Sequence, residues 1–395
     1  MDGNNQQFNP QVPPQGQPVY QYDQQNHGQP QMPPPGGYYR PGFDPFMMQN
    51  FPQGYNFGQP QFYFDQKGAK KHFSGIGMSY FVFSIVATVV QVIVSIAVDL
   101  INPDLWDNYL FLLLASILPM YLVGAPICVM LMRKLTTEKP EKAPWGFGRF
   151  IIGLIIALGL MYTGNFIGTY IGLVIEAFAP QAQASTNNVQ ELVFSGDLLV
   201  NIVIMVMVGP IVEELLFRKL LCDRLRPYGE GVTVVVTGLL FGLFHGNLTQ
   251  GVYAFLLGCF MAYVYLKTGR VTITIAYHMA LNFIGSVIPL LALKAADLDG
   301  IQEVIATGDN ELLAEYVEKN IDSFMIYGMY AMSVLGFMVI GMIMLIVLLA
   351  TGKITFRPGR FTIPKGKRFA TVIINVGMIL FILSGIAEIL LYMFA

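Results

Sequence analysis

Charged residues are scarce in this sequence. Asp, Glu, Lys and Arg make up 12% of the 395 residues, whereas apolar and aromatic residues make up 54%. A water-soluble domain carries about twice that share of charge. The mean hydropathy of +0.55 points the same way. The composition therefore indicates a protein that resides in a lipid bilayer.

The sequence also gives no indication of a nucleic-acid partner, a disulfide framework or a cleaved leader segment. The net charge is -2, and no basic cluster is interleaved with aromatic residues, so we expect no nucleic-acid partner. Cys128, Cys222 and Cys259 lie in or beside apolar runs without CxxC spacing, which predicts neither a disulfide framework nor a zinc knuckle. No apolar h-region follows Met1, so we expect the first membrane helix to act as the insertion signal.

Residues 1–66 differ in composition from the rest of the chain. Gln, Pro, Gly, Asn and Tyr dominate there, and Arg40 is the only basic residue. Such a segment cannot bury enough apolar surface to offset its ordering entropy. We predict a disordered cytoplasmic tail. Two roles stay open for it, a plain tether and a segment whose aromatic residues bind an unknown protein partner.

Apolar runs long enough to cross a bilayer follow the tail, since about 20 helical residues cross ~30 Å of hydrocarbon. Segments that span a bilayer are helices or closed barrels, and runs of this length are helices. The sequence predicts an all-α, polytopic transmembrane bundle of about nine spans. These lie near 76–101, 109–132, 150–175, 197–223, 231–246, 250–266, 271–293, 323–350 and 369–394.

The basic residues suggest an orientation in the cell membrane. Alternate loops hold nearly all of them, whereas the intervening loops hold only Lys294 and Lys319. By the positive-inside rule, this pattern places the N-terminus in the cytoplasm and the C-terminus outside. The loop 294–322 would then be extracytoplasmic. It is acidic, and Asn310 is predicted to cap a short surface helix within it.

Ionisable groups inside apolar spans are costly and mark functional sites. Glu214 and Arg218 are spaced i, i+4, which predicts an ion pair on one helix face. Glu213 points about 100° away from Glu214 and stays free for chemistry. His245 ends a second apolar run, and a third carries His278. The other histidines, His27 and His72, are predicted to be exposed to solvent.

The candidate polar residues lie at similar predicted depths in the membrane. At 1.5 Å per helical residue, Glu213, His245, His278 and Asn282 lie about 12 to 21 Å from the same face of the membrane. A carboxylate base beside a histidine suits the activation of water, and His278 with Asn282, also spaced i, i+4, suits an oxyanion site. If a metal is used, Glu213, His245 and His278 are the predicted ligands of one zinc ion, with water as the fourth. Nothing resembles HExxH, so the sequence leaves zinc and no metal both open.

The order of these motifs resembles that of the CPBP family of intramembrane proteases. The motifs are Glu213-Glu214-xxx-Arg218, Phe241-xxx-His245 and His278-xxx-Asn282. The family, named as metalloproteases, includes type II CAAX prenyl endopeptidases and proteins linked to bacteriocin immunity. The resemblance covers residues 197–293 and implies that Glu213 and His245 activate water while His278 and Asn282 hold the oxyanion.

The expected activity is therefore endopeptidase cleavage of a hydrophobic or lipidated, CAAX-like peptide or membrane protein. Two alternatives stay open, an immunity factor that acts by binding without catalysis and a transporter with a proton-linked Glu/His pair. Segments 67–196 and 323–395 would be the N-terminal and C-terminal membrane helices that flank the catalytic core.

Overall fold

The computed structural model describes residues 65–185, 196–296 and 301–394. The chain divides into two units, Met1–Phe62 and Tyr63–Ala395. The first unit, with nearly all of the predicted tail, lies outside the described residues. His27 and the proposed partner-binding aromatics of the tail lie there too.

Helices and loops make up the described part of the second unit, and no strand occurs in it, which confirms the predicted all-α class. In chain order the helices are α1 Gln66–Ile101, α2 Tyr109–Met132, α3 Phe147–Phe178, α4 Leu198–Tyr228, α5 Glu230–Phe244, α6 Leu248–Thr268, α7 Val271–Ala295, α8 Ile301–Thr307, α9 Asn310–Lys319, α10 Ile321–Ala350, α11 Arg368–Val372 and α12 Val376–Phe394.

The number of spans differs from the predicted nine. Within the described residues, 8 helices are long and apolar enough to cross a membrane, which supports a multi-pass membrane protein. Helix α5 has 15 residues, and at 1.5 Å per residue it covers only about 22 Å. The predicted last span, 369–394, is also broken, because the Asn375 side chain accepts a hydrogen bond from Met378 N at 3.1 Å and starts α12 anew.

Side-chain caps begin several of the helices. The carboxylates or amides of Asp65, Asn108, Asp197 and Asn247 accept backbone N–H groups of the first turns of α1, α2, α4 and α6. Each satisfies a donor that has no partner inside the helix. In α9 the cap is Asp309, whose carboxylate accepts from Glu311 N and Leu312 N. The prediction that Asn310 caps this helix is therefore wrong by one residue.

Glycine pairs let the membrane helices approach closely. A Cβ on Gly258 of α6 would lie 2.9 Å from Gly238 Cα of α5, and one on Gly159 of α3 would lie 2.8 Å from Gly341 Cα of α10. Lipid tails are as apolar as the side chains, so the hydrophobic effect does not drive membrane helices together. Close packing at small residues such as these holds the helices together instead. Helix α6 packs along α5 and α3, and α1 packs on α12.

The prediction that His72 is exposed is wrong. Only 8% of His72 is exposed, and its Nε2 lies 2.8 Å from the carbonyl oxygen of Arg224. Helix α1 begins at Gln66, well before the predicted start at residue 76, so His72 lies within the helix and faces α4. A buried polar ring is tolerated there because the hydrogen bond replaces its lost contact with water.

Candidate active site

The segment Gly209–Glu214 lies between two widened turns of α4. The turns Ile202–Val208 and Leu215–Cys222 are π-helical. Pro210 has no N–H, so the carbonyl of Met205, five residues earlier, lacks the donor that a π-helical turn would supply. The Asn282 side chain fills this position by donating from Nδ2 to Met205 O at 2.8 Å. Asn282 thereby ties α7 to the turn that precedes the Glu-Glu pair.

Glu214 lies at the centre of a buried charge cluster. Its Oε2 is 3.0 Å from Arg218 Nε, and both side chains are 0% exposed. The two atoms are close but are not aligned for a hydrogen bond, so the contact is an ion pair. Glu214 Oε1 also accepts from His278 Nδ1 at 3.0 Å. Glu214 therefore neutralises Arg218 and orients the His278 ring.

Glu213 lies outside the ion pair of Glu214 with Arg218. Its Oε2 lies 3.7 Å from His278 Nε2, and the Glu213 side chain is 17% exposed. Its Oε1 accepts a long hydrogen bond of 3.4 Å from the Tyr121 hydroxyl of α2. The carboxylate thus has one polar neighbour on each oxygen and keeps lone pairs free. It is placed to accept a proton from a small molecule such as water.

His245 ends the short helix α5. Its Nδ1 lies 2.7 Å from Phe241 O. A carbonyl only accepts, so Nδ1 carries the hydrogen and the neutral ring keeps an unprotonated Nε2 as a base. Gly246 follows with φ of 61°, a left-handed conformation that glycine adopts without strain. The turn ends α5 directly behind His245.

Phe241 packs among three of the polar groups. Its ring centroid is 4.7 Å from Arg218 Cζ, 4.8 Å from the His245 ring and 5.9 Å from the His278 ring. The aromatic face attracts the guanidinium, and both imidazoles meet the ring edge-on. Helices α4, α5 and α7 therefore contribute to one cluster.

His278 and Asn282, predicted to act together, have different partners in the structure. His278 contacts the two glutamates, whereas Asn282 donates to the backbone of α4. The i, i+4 spacing places both on one face of α7, but their partners differ. One N–H of the Asn282 amide remains beyond the bond to Met205.

Comparison with known proteins adds one finding. Residues 195–284 match the model of the family described as type II CAAX prenyl endopeptidase Rce1-like. Residues 195–284 are here called the Rce1-like domain after this match. The match confirms the resemblance to the CPBP and CAAX protease family for this part of the chain. Searches among curated proteins and among solved structures gave no match.

The Rce1-like domain contains all six residues that the sequence singles out, which are Glu213, Glu214, Arg218, His245, His278 and Asn282. Two polar residues near them lie outside the domain and were missed. Tyr121 contacts Glu213 from α2. Glu388 of α12 brings Oε2 to 3.5 Å from the position of a Cβ on Gly246, beside His245. An intramembrane carboxyl is a signal that could have identified Glu388, whereas nothing distinguishes Tyr121 from other aromatic residues of the spans.

A metal ion does not fit the side chains as they are placed. Among the described residues, no three His, Cys, Asp or Glu side chains cluster closely enough to hold one. Both ring nitrogens of His278 face the glutamates, and Nδ1 of His245 faces a carbonyl. The three residues predicted as zinc ligands do not form a three-ligand site in the Rce1-like domain.

Proposed function

We propose that this chain is an intramembrane endopeptidase that cleaves a peptide bond of a hydrophobic or lipidated, CAAX-like peptide or membrane protein. The observation that carries the proposal is that the two adjacent glutamates of the Rce1-like domain have different contacts. Both carboxylate oxygens of Glu214 contact Arg218 or His278, whereas the adjacent Glu213 is available as a base. A site built only to bury charge has no need for the second carboxylate.

The proposed reaction begins with water beside Glu213. The Glu213 carboxylate takes one proton from this water, and His245 Nε2 assists as a second base. The resulting hydroxide forms a bond to the peptide carbonyl carbon. Asn282 and His278 hold the negative oxygen that develops. Asn282 offers its second Nδ2–H, and His278 offers the hydrogen on Nε2. When the C–N bond breaks, the proton returns to the leaving amine.

The substrate is sought without assuming its identity. Cells that produce the wild-type protein and cells that produce Glu213→Ala are compared by mass spectrometry of membrane-associated peptides. We expect peptides with new termini in the wild-type sample only. Equal peptide sets, with both proteins present in the membrane at equal level, contradict the proposal. His245→Ala should give the same result as Glu213→Ala.

Tyr121→Phe is expected to lower kcat about fivefold, with little change in KM. The hydroxyl holds one oxygen of Glu213 through a long hydrogen bond, for which about 1 kcal/mol is a fair estimate. The assay is cleavage of a substrate found by that comparison. Tyr80→Phe is the matched control, since its buried hydroxyl donates to Leu216 O at 3.0 Å, away from Glu213. Equal loss of kcat in both variants would argue against positioning by Tyr121.

A further inference from the structure

The segment that follows α10 and ends at the first residue of α11 forms a surface that the proposed reaction does not use. Residues 351–368, here called the basic strap, contain no Asp or Glu. They contain six basic residues, and all six are exposed. These are Lys353, Arg357, Arg360, Lys365, Lys367 and Arg368. None of the six forms an ion pair with a described acidic residue.

The backbone of the basic strap is fixed to the protein. Arg357 N donates to Glu230 Oε2 at 2.8 Å, and Arg357 O accepts from Glu230 N at 3.1 Å. Phe361 N donates to Pro227 O at 2.8 Å. Ile363 is 2% exposed and belongs to the apolar core. Backbone atoms and one apolar side chain make these contacts. Among the basic side chains, Arg368 Nε donates to Ile363 O at 3.3 Å, and Arg360 lies over the Phe361 ring, 5.6 Å from its centroid. Neither contact neutralises a positive charge, so the charges of the strap remain available to another partner.

The nearest carboxylate does not neutralise the basic strap. Glu230 is 3% exposed, and its Oε2 lies 2.5 Å from Lys267 Nζ of α6. The negative charge of Glu230 is thus balanced by a lysine that lies outside the strap. The strap therefore presents uncompensated positive charge at the end of the bundle where α4 and α5 are joined.

Aromatic residues accompany the bases. Phe356 is 49% exposed and Phe369 is 68% exposed. The strap also connects two helices that are long and apolar enough to span a membrane, α10 and α12. Bases beside exposed aromatic rings at the end of membrane helices suit the interface, where rings lie at headgroup level and Lys and Arg attract anionic lipids. A soluble acidic partner gives no reason for the exposed rings.

From these observations we infer that the basic strap binds the headgroups of anionic phospholipids at the membrane surface. Binding there also acts on the site, because the strap is hydrogen-bonded to residues 227–230. That turn joins the helix that carries Glu213 to the helix that His245 ends. Anionic lipid is expected to stabilise the arrangement of α4 and α5.

The test uses the full chain in nanodiscs of phosphatidylcholine, with or without phosphatidylglycerol. Native mass spectrometry counts retained phosphatidylglycerol, and thermal unfolding gives the midpoint. We expect phosphatidylglycerol to raise the wild-type midpoint. Phosphatidylglycerol should bind the triple variant R357Q/R360Q/K365Q at least about tenfold more weakly than it binds the wild type, because each basic residue near an anionic surface contributes attraction. Neither readout depends on peptide cleavage, so this inference and the proposed function fail separately.

The control is K67Q/K70Q/K71Q, which removes the same charge from the first turns of α1. We expect it to retain phosphatidylglycerol as the wild type does. Equal losses in the two triple variants, or no loss in the strap variant, would overturn the inference. Glycerol 3-phosphate in solution should not raise the midpoint. A rise as large as that with the lipid would mean a site for free phosphate and would also overturn it.

Discussion

Glu213→Gln is expected to lower kcat for peptide cleavage by about 10²–10⁴-fold and to leave the unfolding midpoint near its wild-type value. Glutamine keeps the size of the side chain but cannot accept the proton of water. Stability should persist because Glu213 lies outside the buried ion pair and is 17% exposed. The measurement is steady-state cleavage by purified variants, with unfolding followed in the same detergent.

The neighbouring residue supplies the control for this result. Glu214→Gln removes a charge from the next position in the chain, and Glu214 is 0% exposed against Arg218 and His278. We expect this variant to lose stability as well as activity, because a buried guanidinium is left without its counter-ion. Wild-type kcat in Glu213→Gln would remove Glu213 from the proposed reaction. A lowered midpoint in that variant would show that the two glutamates are not divided as described.

Helices were predictable because apolar runs alone determine them in a membrane. The positions of most spans follow from length and composition, and the Glu214–Arg218 contact follows from i, i+4 spacing within one helix. The length of α5 was harder, since a run that ends in Gly246 and Asn247 continues as apolar residues in α6. A turn of positive φ inside a membrane is not visible in hydropathy.

Contacts between distant segments were not predictable in the same way. The bond between His278 and Glu214 joins residues 64 positions apart, and the bond from Tyr121 to Glu213 joins residues 92 apart. Periodicity fixes which face of its own helix a residue occupies, but it does not fix the facing helix. For that reason Glu214 was predicted only as the partner of Arg218, and its contact with His278 was missed.

Widened helical turns are a second reason why the site differs from an ideal-helix prediction. The described residues contain four π-helical turns, and all of them border or contain residues of the site. These turns are Pro119–Gly124, Ile202–Val208, Leu215–Cys222 and Phe283–Val287. Such turns are rare and often occur at functional sites. Each rotates the following side chains relative to a 3.6-residue period, which alters directions derived from spacing alone.

Arg218→Met is expected to lower the free energy of unfolding by about 3–5 kcal/mol, because it leaves the buried carboxylate of Glu214 without its guanidinium counter-ion. Arg218 is 0% exposed, and within the described residues its Nη1 and Nη2 make no hydrogen bond. Its stabilising contacts are therefore the ion pair with Glu214 and the face of Phe241. Unfolding in detergent by titration with sodium dodecyl sulfate measures the change.

The double variant Glu214→Gln/Arg218→Met separates charge pairing from packing. Replacing both members of a buried ion pair by neutral side chains is often nearly neutral for stability, since neither charge is left without a partner. We therefore expect the double variant to recover most of the stability that Arg218→Met loses. It should still cleave poorly, because the His278 ring loses the carboxylate that orients it. If the double variant instead lost as much stability as the two single variants together, Glu214 and Arg218 would act independently, contrary to their 3.0 Å contact.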